Sequence, residues 1–209
     1  MRRLKARRER PRRAAQARPA AVALAFFGAF GGLVLCLSLF TQLGEGFSPI
    51  HAGLALIPMV LGMLVGMGAG MALVGRLGRR LLHLAVAVAA GTVGLALTVT
   101  GADSVSAWEM APSLFVIGIG FGASIGQLFD FILAGVGMDE VGSASGVLEA
   151  TQQLASALGV AILGTIFFSA FEDRLPSDAL AITAWACLVP IAVAFALSFL
   201  LPRRAREPE

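Results

Sequence analysis

Six apolar stretches, at about 20–43, 50–74, 81–101, 110–135, 144–171 and 179–201, alternate along the chain with short polar or charged segments. Each meets the roughly 20 residues that an α-helix needs to cross a hydrocarbon core of about 30 Å. The stretches are apolar nearly all round, as in helices surrounded by lipid or by other helices. The pattern predicts an all-α membrane protein with six transmembrane helices in one bundle (20–201), a basic tail before it (1–19) and a short tail after it (202–209).

The stretches differ in polarity. The third and the sixth (LLHLAVAVAAGTVGLALTVT and ITAWACLVPIAVAFALSFLL) are almost featureless and suit helices that face lipid. Polar and small residues collect in the first, second, fourth and fifth, which suits helices that line an interior. Two glycine- and methionine-rich stripes run along the second span, Gly62, Gly66, Gly70 and Met59, Met63, Met67, Met71. The glycines form a doubled GxxxG, the pattern that lets helix backbones approach in lipid. The methionines allow a deformable wall for apolar ligands, but ordinary helix packing is the better-supported account of both stripes.

In the fourth span, GQLFDFILAG places Asp130 in an apolar run. Steps of three and four lead back through Gln127 and Gly126 to Ala123 and Gly122, while Phe121, Ile125, Leu128 and Ile132 fall on the opposite face. Asp130 is thus expected on a small, polar, inward stripe. The fifth span carries a similar stripe, Ser145, Glu149, Gln152, Gln153, Ser156 and Gly159. Asp130 and Glu149 lie at similar depth, Asp130 ~9 Å from the helix end at 1.5 Å per residue. An acid inside a span costs at least ~2.5 kcal/mol on insertion scales, so it usually faces a cavity or partner and marks an ion or substrate path. Two nearby carboxylates also raise one pKa, as a proton carrier requires. The plainer alternative is that each acid reaches water in a vestibule. For Glu149, proximity to a helix start favours an acid in any case.

Composition changes the picture only by excluding soluble classes. The chain is 57% hydrophobic and 14% charged, against roughly 25% charged in soluble domains, and its mean hydropathy is +0.85. Charge placement adds orientation. Fifteen of the 16 Lys and Arg residues lie in the opening 20 residues, the GRLGRR loop and the final tail, which six spans place on one side. The positive-inside rule then puts both termini in the cytoplasm, consistent with a plasma (inner) membrane protein. Trp108 and Trp185 would mark the outer interface. The basic opening stretch suits anionic lipid headgroups. It lacks the aromatic residues of a nucleic-acid arm, so no nucleic-acid partner is expected.

Candidate chemistry of other kinds is thin. Cys36 and Cys187 sit in the first and last spans without ligand spacing, and His51 and His83 fall on opposite sides of the membrane, so no metal or cofactor is expected. IGIGFGASIG lacks both the G-x-G-x-x-G spacing and a preceding strand. In GSASG the middle residue is Ala144, so no nucleophile elbow forms. The chain is not expected to be an enzyme.

Three stretches resemble the C-terminal half of the fourteen-span drug:proton antiporters of the major facilitator superfamily. GFSPIHAGLALIP (46–58) is similar to an outer loop and following helix of that half. GRLGRR (75–80) is similar to its cytoplasmic loop motif through Leu73, Arg76, Gly78, Arg79 and Arg80, but Gly75 stands where the motif has Asp and Met71 where it has its first Gly. GSASGVLEATQQLASALGVAILGTIF (142–167) is similar to the penultimate helix, with Glu149 in place of the usual Asn and Gln152 in place of the usual Arg. The resemblance implies one half of a two-bundle transporter that exchanges protons for small amphiphilic compounds or drugs. Asp130, Glu149, Gln127, Gln152 and Gln153 would line its path, with Thr41 and Gln42 near the outer end of the first span. Membrane lipid, protons and a small-molecule substrate are the implied partners. An N-terminal half, missing or supplied by a separate chain, or a homo-oligomer would complete the path; alternatively, the chain is a truncated or accessory membrane protein without transport of its own.

Overall fold

The computed structural model describes the backbone of residues 2–77, 85–133 and 141–198, and the side chains of 21–72, 87–125, 142–143 and 145–197. Every regular element among the described residues is helical: α1 (Arg2–Leu39), a π-helical segment (Phe40–Gly44), α2 (Pro49–Ala55), α3 (Ile57–Leu77), α4 (Ala85–Val99), α5 (Ala107–Leu133), α6 (Val141–Asp173) and α7 (Pro176–Ser198). Five stretches are long and apolar enough to cross a membrane: Ala21–Gly44, Pro49–Ala72, Ala107–Ile125, Ser145–Asp173 and Pro176–Leu197. The apolar part of α4, Ala87–Val99, is shorter. The rest of the expected third span, residues 81–84, lies outside the described residues.

Two elements carry detail that the apolar pattern did not specify. The basic tail is helical, continuous with the first span from Arg2; its Arg, Lys, Ala and Gln residues are good helix formers. The second span is built in two pieces, because Pro58 has no N–H to donate back to Leu54 and disfavours helical geometry at Ile57. The chain turns there through Leu56, whose N–H meets the Gly53 carbonyl at 3.2 Å and whose own carbonyl receives Met59 N–H at 3.1 Å. Ser48 caps α2, its hydroxyl accepting from the His51 N–H, and Pro49 occupies the first turn, where an N–H would go unused.

The helices associate as two close pairs, α3 on α5 and α1 on α6. Between them, α4 bridges α5 to α7, and α7 packs against α1. Phe121 of α5 joins the pairs by packing on Phe26 and Phe30 of α1, ring centroids 4.5 Å away in both cases. Phe121, on the face of α5 opposite the small stripe, is therefore buried.

Lipid is as apolar as leucine, so helix pairs in it are held by close van der Waals fit. Glycines supply that fit. Gly62 and Gly66 of α3 meet the backbone carbonyls of Phe115 and Ile119, and Gly118 and Gly122 of α5 meet those of Met59 and Met63, so closely that a Cβ at any of the four would collide. Gly159 of α6 lies against Gly28 of α1 in the same way.

At the end where α1 stops, polar groups tie the connections together. Glu45 Oε1 accepts the Val105 N–H at 3.0 Å, Asp178 Oδ1 accepts the Gly101 N–H at 3.1 Å, and the Ser177 hydroxyl donates to the Ala102 carbonyl at 2.6 Å. Gly46 and Gly101 hold positive φ, +67° and +70°, the left-handed geometry that disfavours a side chain.

Candidate functional site

The polar stripe of α6 divides into two. Glu149 and Gln153, one turn apart, are exposed, and the Gln153 amide donates to Glu149 Oε1 at 3.0 Å. Ser156 and Gly159 turn instead toward α1, where they pack against Gly31 and Gly28. The sequence grouped all of them on one inward face. The close α1–α6 approach separates them, because the glycines and Ser156 fit the seam and the longer polar side chains do not. Gln152 lies between the two directions; it is half-buried, and its Nε2 is buried without a hydrogen-bond partner. A buried amide donor left unpaired costs about 1–3 kcal/mol.

The small stripe of α5 also proves to be a packing face over its described part. Gly118 and Gly122 seat against α3, and Ala123 is buried. Asp130 and Gln127 lie in the last turns of α5, Ala107–Leu133, but their side chains are outside the described residues, as is the expected pairing of Asp130 with Glu149. Of the loop motif, Arg76 lies in the last turn of α3, and Gly78, Arg79 and Arg80 are outside the described residues. Met59 is buried and Met63 half-buried, while Met67 and Met71 are exposed.

Thr41 and Gln42 fall in the π-helical segment. Thr41 is fully buried and its hydroxyl donates to the carbonyl of Leu37 at 3.0 Å, so it does not line an open surface. Gln42, the next residue, is exposed, and its amide donates to the Ser38 hydroxyl at 2.8 Å.

Sequence patterns missed the contacts of Glu45, Ser177 and Asp178. Their only signal was polar residues in connections of an otherwise apolar chain, which does not specify backbone partners 60 or more residues away.

Long apolar helices joined through glycine seams, with a carboxylate and carboxamides on one flank, define a multi-pass α-helical membrane protein. Within that class the chain belongs to the Major Facilitator Superfamily, whose profile matches residues 2–160. It is 44% identical over 160 residues to the "Probable actinorhodin transporter" of Streptomyces coelicolor, covering 75% of this chain and 28% of that protein. It is 31% identical over 187 residues to the puromycin resistance protein pur8 of Streptomyces alboniger, covering 86% and 37%. A tetracycline resistance determinant of Streptomyces rimosus is 28% identical over 146 residues, covering 69% and 42%. The chain thus matches less than half the length of each of these relatives.

Proposed function

We propose that this chain forms a six-span C-terminal bundle of a proton-coupled exporter of small amphiphilic compounds, set in the plasma membrane with both termini in the cytoplasm. The observation that carries this proposal is the exposed Glu149–Gln153 pair on α6. A hydrogen-bonded carboxylate within an apolar helix is costly unless it meets a water-filled path or a partner. The unpaired Gln152 amide beside it points the same way, since a buried donor calls for an acceptor that a substrate or a second bundle would supply. The antibiotic-linked names of the relatives support an amphiphilic, drug-like substrate.

In this account Glu149 carries the proton. Deprotonated, it gives the α6 flank a negative charge that attracts a cationic or polar substrate group; protonated, it leaves the flank neutral and releases that group. Asp130 and Gln127 would continue the path from α5, with Gln152, Gln153 and Gln42 as hydrogen-bonding positions. The basic loop after α3, with Arg76, Gly78, Arg79 and Arg80, would lie on the cytoplasmic side. Either an N-terminal bundle or a second copy of this chain would close the opposite wall, because a two-bundle path needs both.

Proteoliposomes test the proposal. The chain alone, and together with a candidate N-terminal bundle, is loaded with a fluorescent amphiphilic dye and given a proton gradient. Dye movement that follows the gradient in at least one arrangement supports the account; movement indifferent to the gradient in all of them rejects proton coupling.

A further inference from the structure

A cavity of about 850 Å³ opens at the tied end of the bundle, between α2–α3 and the segment that enters α5. Its lining is graded along the helix axes. Glu45, His51 and Trp108 line one end, and each lies within three residues of the end of an apolar span, Ala21–Gly44, Pro49–Ala72 and Ala107–Ile125 respectively. Leu54, Ile57 and Leu61 line the cavity further along α2 and α3. The step from His51 to Leu61 covers roughly 15 Å at 1.5 Å per residue. Leu64 and Val65, one turn beyond Leu61, are exposed and continue the apolar strip. The cavity is thus polar at headgroup level and apolar toward the middle of the bilayer, the gradient of a phospholipid itself.

The polar end carries groups of two kinds. Glu45 is half-buried and fixed in place, because its Oε1 accepts the Val105 N–H at 3.0 Å, and a carboxylate has acceptor capacity beyond one such bond. A primary ammonium suits it, since its N–H donors make charge-assisted hydrogen bonds, the stronger kind. His51 and Ser104, both exposed, line the same cavity with an imidazole and a hydroxyl, donors that a phosphate oxygen accepts. No lysine or arginine lines the cavity among the described residues. A lipid of net negative charge therefore gains no cationic partner there and meets the Glu45 carboxylate. Trp108 is 84% exposed, and an indole favours the junction of headgroup and chain.

We propose that this cavity binds a zwitterionic aminophospholipid of the surrounding bilayer, its ammonium on Glu45, its phosphate at His51 and Ser104, and one acyl chain along Leu54, Leu61 and Leu64. Bound there, the lipid bridges the start of the α2–α3 span to the connection before α5, which Glu45 already ties.

The test uses the full chain with Trp185→Phe, which leaves Trp108 as the sole indole, in nanodiscs of phosphatidylcholine. Acyl-brominated phosphatidylethanolamine or phosphatidylglycerol is added at equal low mole fraction. Quenching of Trp108 then gives the association of each relative to the phosphatidylcholine bath. Phosphatidylethanolamine is expected to associate about fivefold or more better than the bath lipid or phosphatidylglycerol, the worth of about one charged contact. Glu45→Gln keeps a carbonyl oxygen for the Val105 N–H but removes the charge, and is expected to bring that preference down to within about twofold. His51→Lys, at an exposed position, is expected to raise phosphatidylglycerol association about fivefold, a gain that misfolding cannot imitate. Glycerophosphoethanolamine, the headgroup without chains, is expected to leave the quenching unchanged even in large molar excess. Equal quenching by the lipids, a preference for phosphatidylglycerol or phosphatidylcholine, a preference untouched by both charge changes, or displacement by the free headgroup overturns the assignment. These readouts report binding alone, and proton-driven transport is read separately by the dye assay.

Discussion

Gln153 donates its side-chain amide to Glu149 across one turn of α6, at 3.0 Å, and both residues are exposed. Three residues beyond Gln153, Ser156 is packed into the seam with α1 against Gly31. One helix thus presents a polar flank and a sealed flank side by side, and the two are chemically separable. With native Cys36 and Cys187 fully buried, a water-soluble maleimide is expected to leave the wild-type chain unlabelled. Gln153→Cys is expected to react at least about tenfold faster than Ser156→Cys, since thiol reactivity follows exposure. Mass spectrometry of the labelled chain in membranes checks this, and equal rates at the two positions would contradict the division of α6.

The α1–α6 seam depends on the absence of a side chain at Gly159, where a Cβ would strike the backbone of Gly28. Gly159→Val is expected to destabilise the bundle by about 1–3 kcal/mol, the usual range for overpacking a close-fitted site. Gly53, with open space where its Cβ would stand, serves as the control. Gly53→Ala is expected to change stability by no more than about 0.5 kcal/mol. Thermal midpoints in detergent compare the two, and a Gly159→Val protein as stable as the control would rule out a tight seam.

At the opposite end of the stability problem are the tied connections. Glu45→Ala removes the acceptor of the buried Val105 N–H and is expected to cost about 1–3 kcal/mol. Glu45→Gln, which retains a carbonyl oxygen, is expected to cost less. Hydrogen exchange reports this locally: the Val105 amide speeds up in Glu45→Ala, and the Gly101 amide does so in Asp178→Ala. Unchanged protection at both amides would show that the ties do not hold the loops.

Much of this architecture is legible in the residues themselves. Helix existence follows from apolar length, and the seam residues Gly62 and Gly66 follow from the GxxxG spacing, because both depend on local periodicity and on the chemistry of lipid. Partner choice was not legible. Periodicity placed Phe121 opposite the small stripe of α5, but only the arrangement of α1 and α3 about that helix decides which side meets protein. The small stripe turned out to seat on α3, and Phe121 on α1. The burial of Thr41 was not legible either, since it depends on the packing of neighbouring helices about the end of the first span. The ties of Glu45 and Asp178 depend on backbone groups 60 and 77 positions away, a separation over which residue spacing carries no information.

The central claim is that the exposed acid of α6 couples protons to export, and one variant tests it most directly. In proteoliposomes of the transport-competent arrangement, Glu149→Gln preserves size and hydrogen bonding to Gln153 but cannot carry a proton. Dye movement driven by an imposed proton gradient is predicted to fall at least about tenfold, while downhill exchange of dye without a gradient continues. Gradient-driven movement at the wild-type rate in Glu149→Gln would contradict the account.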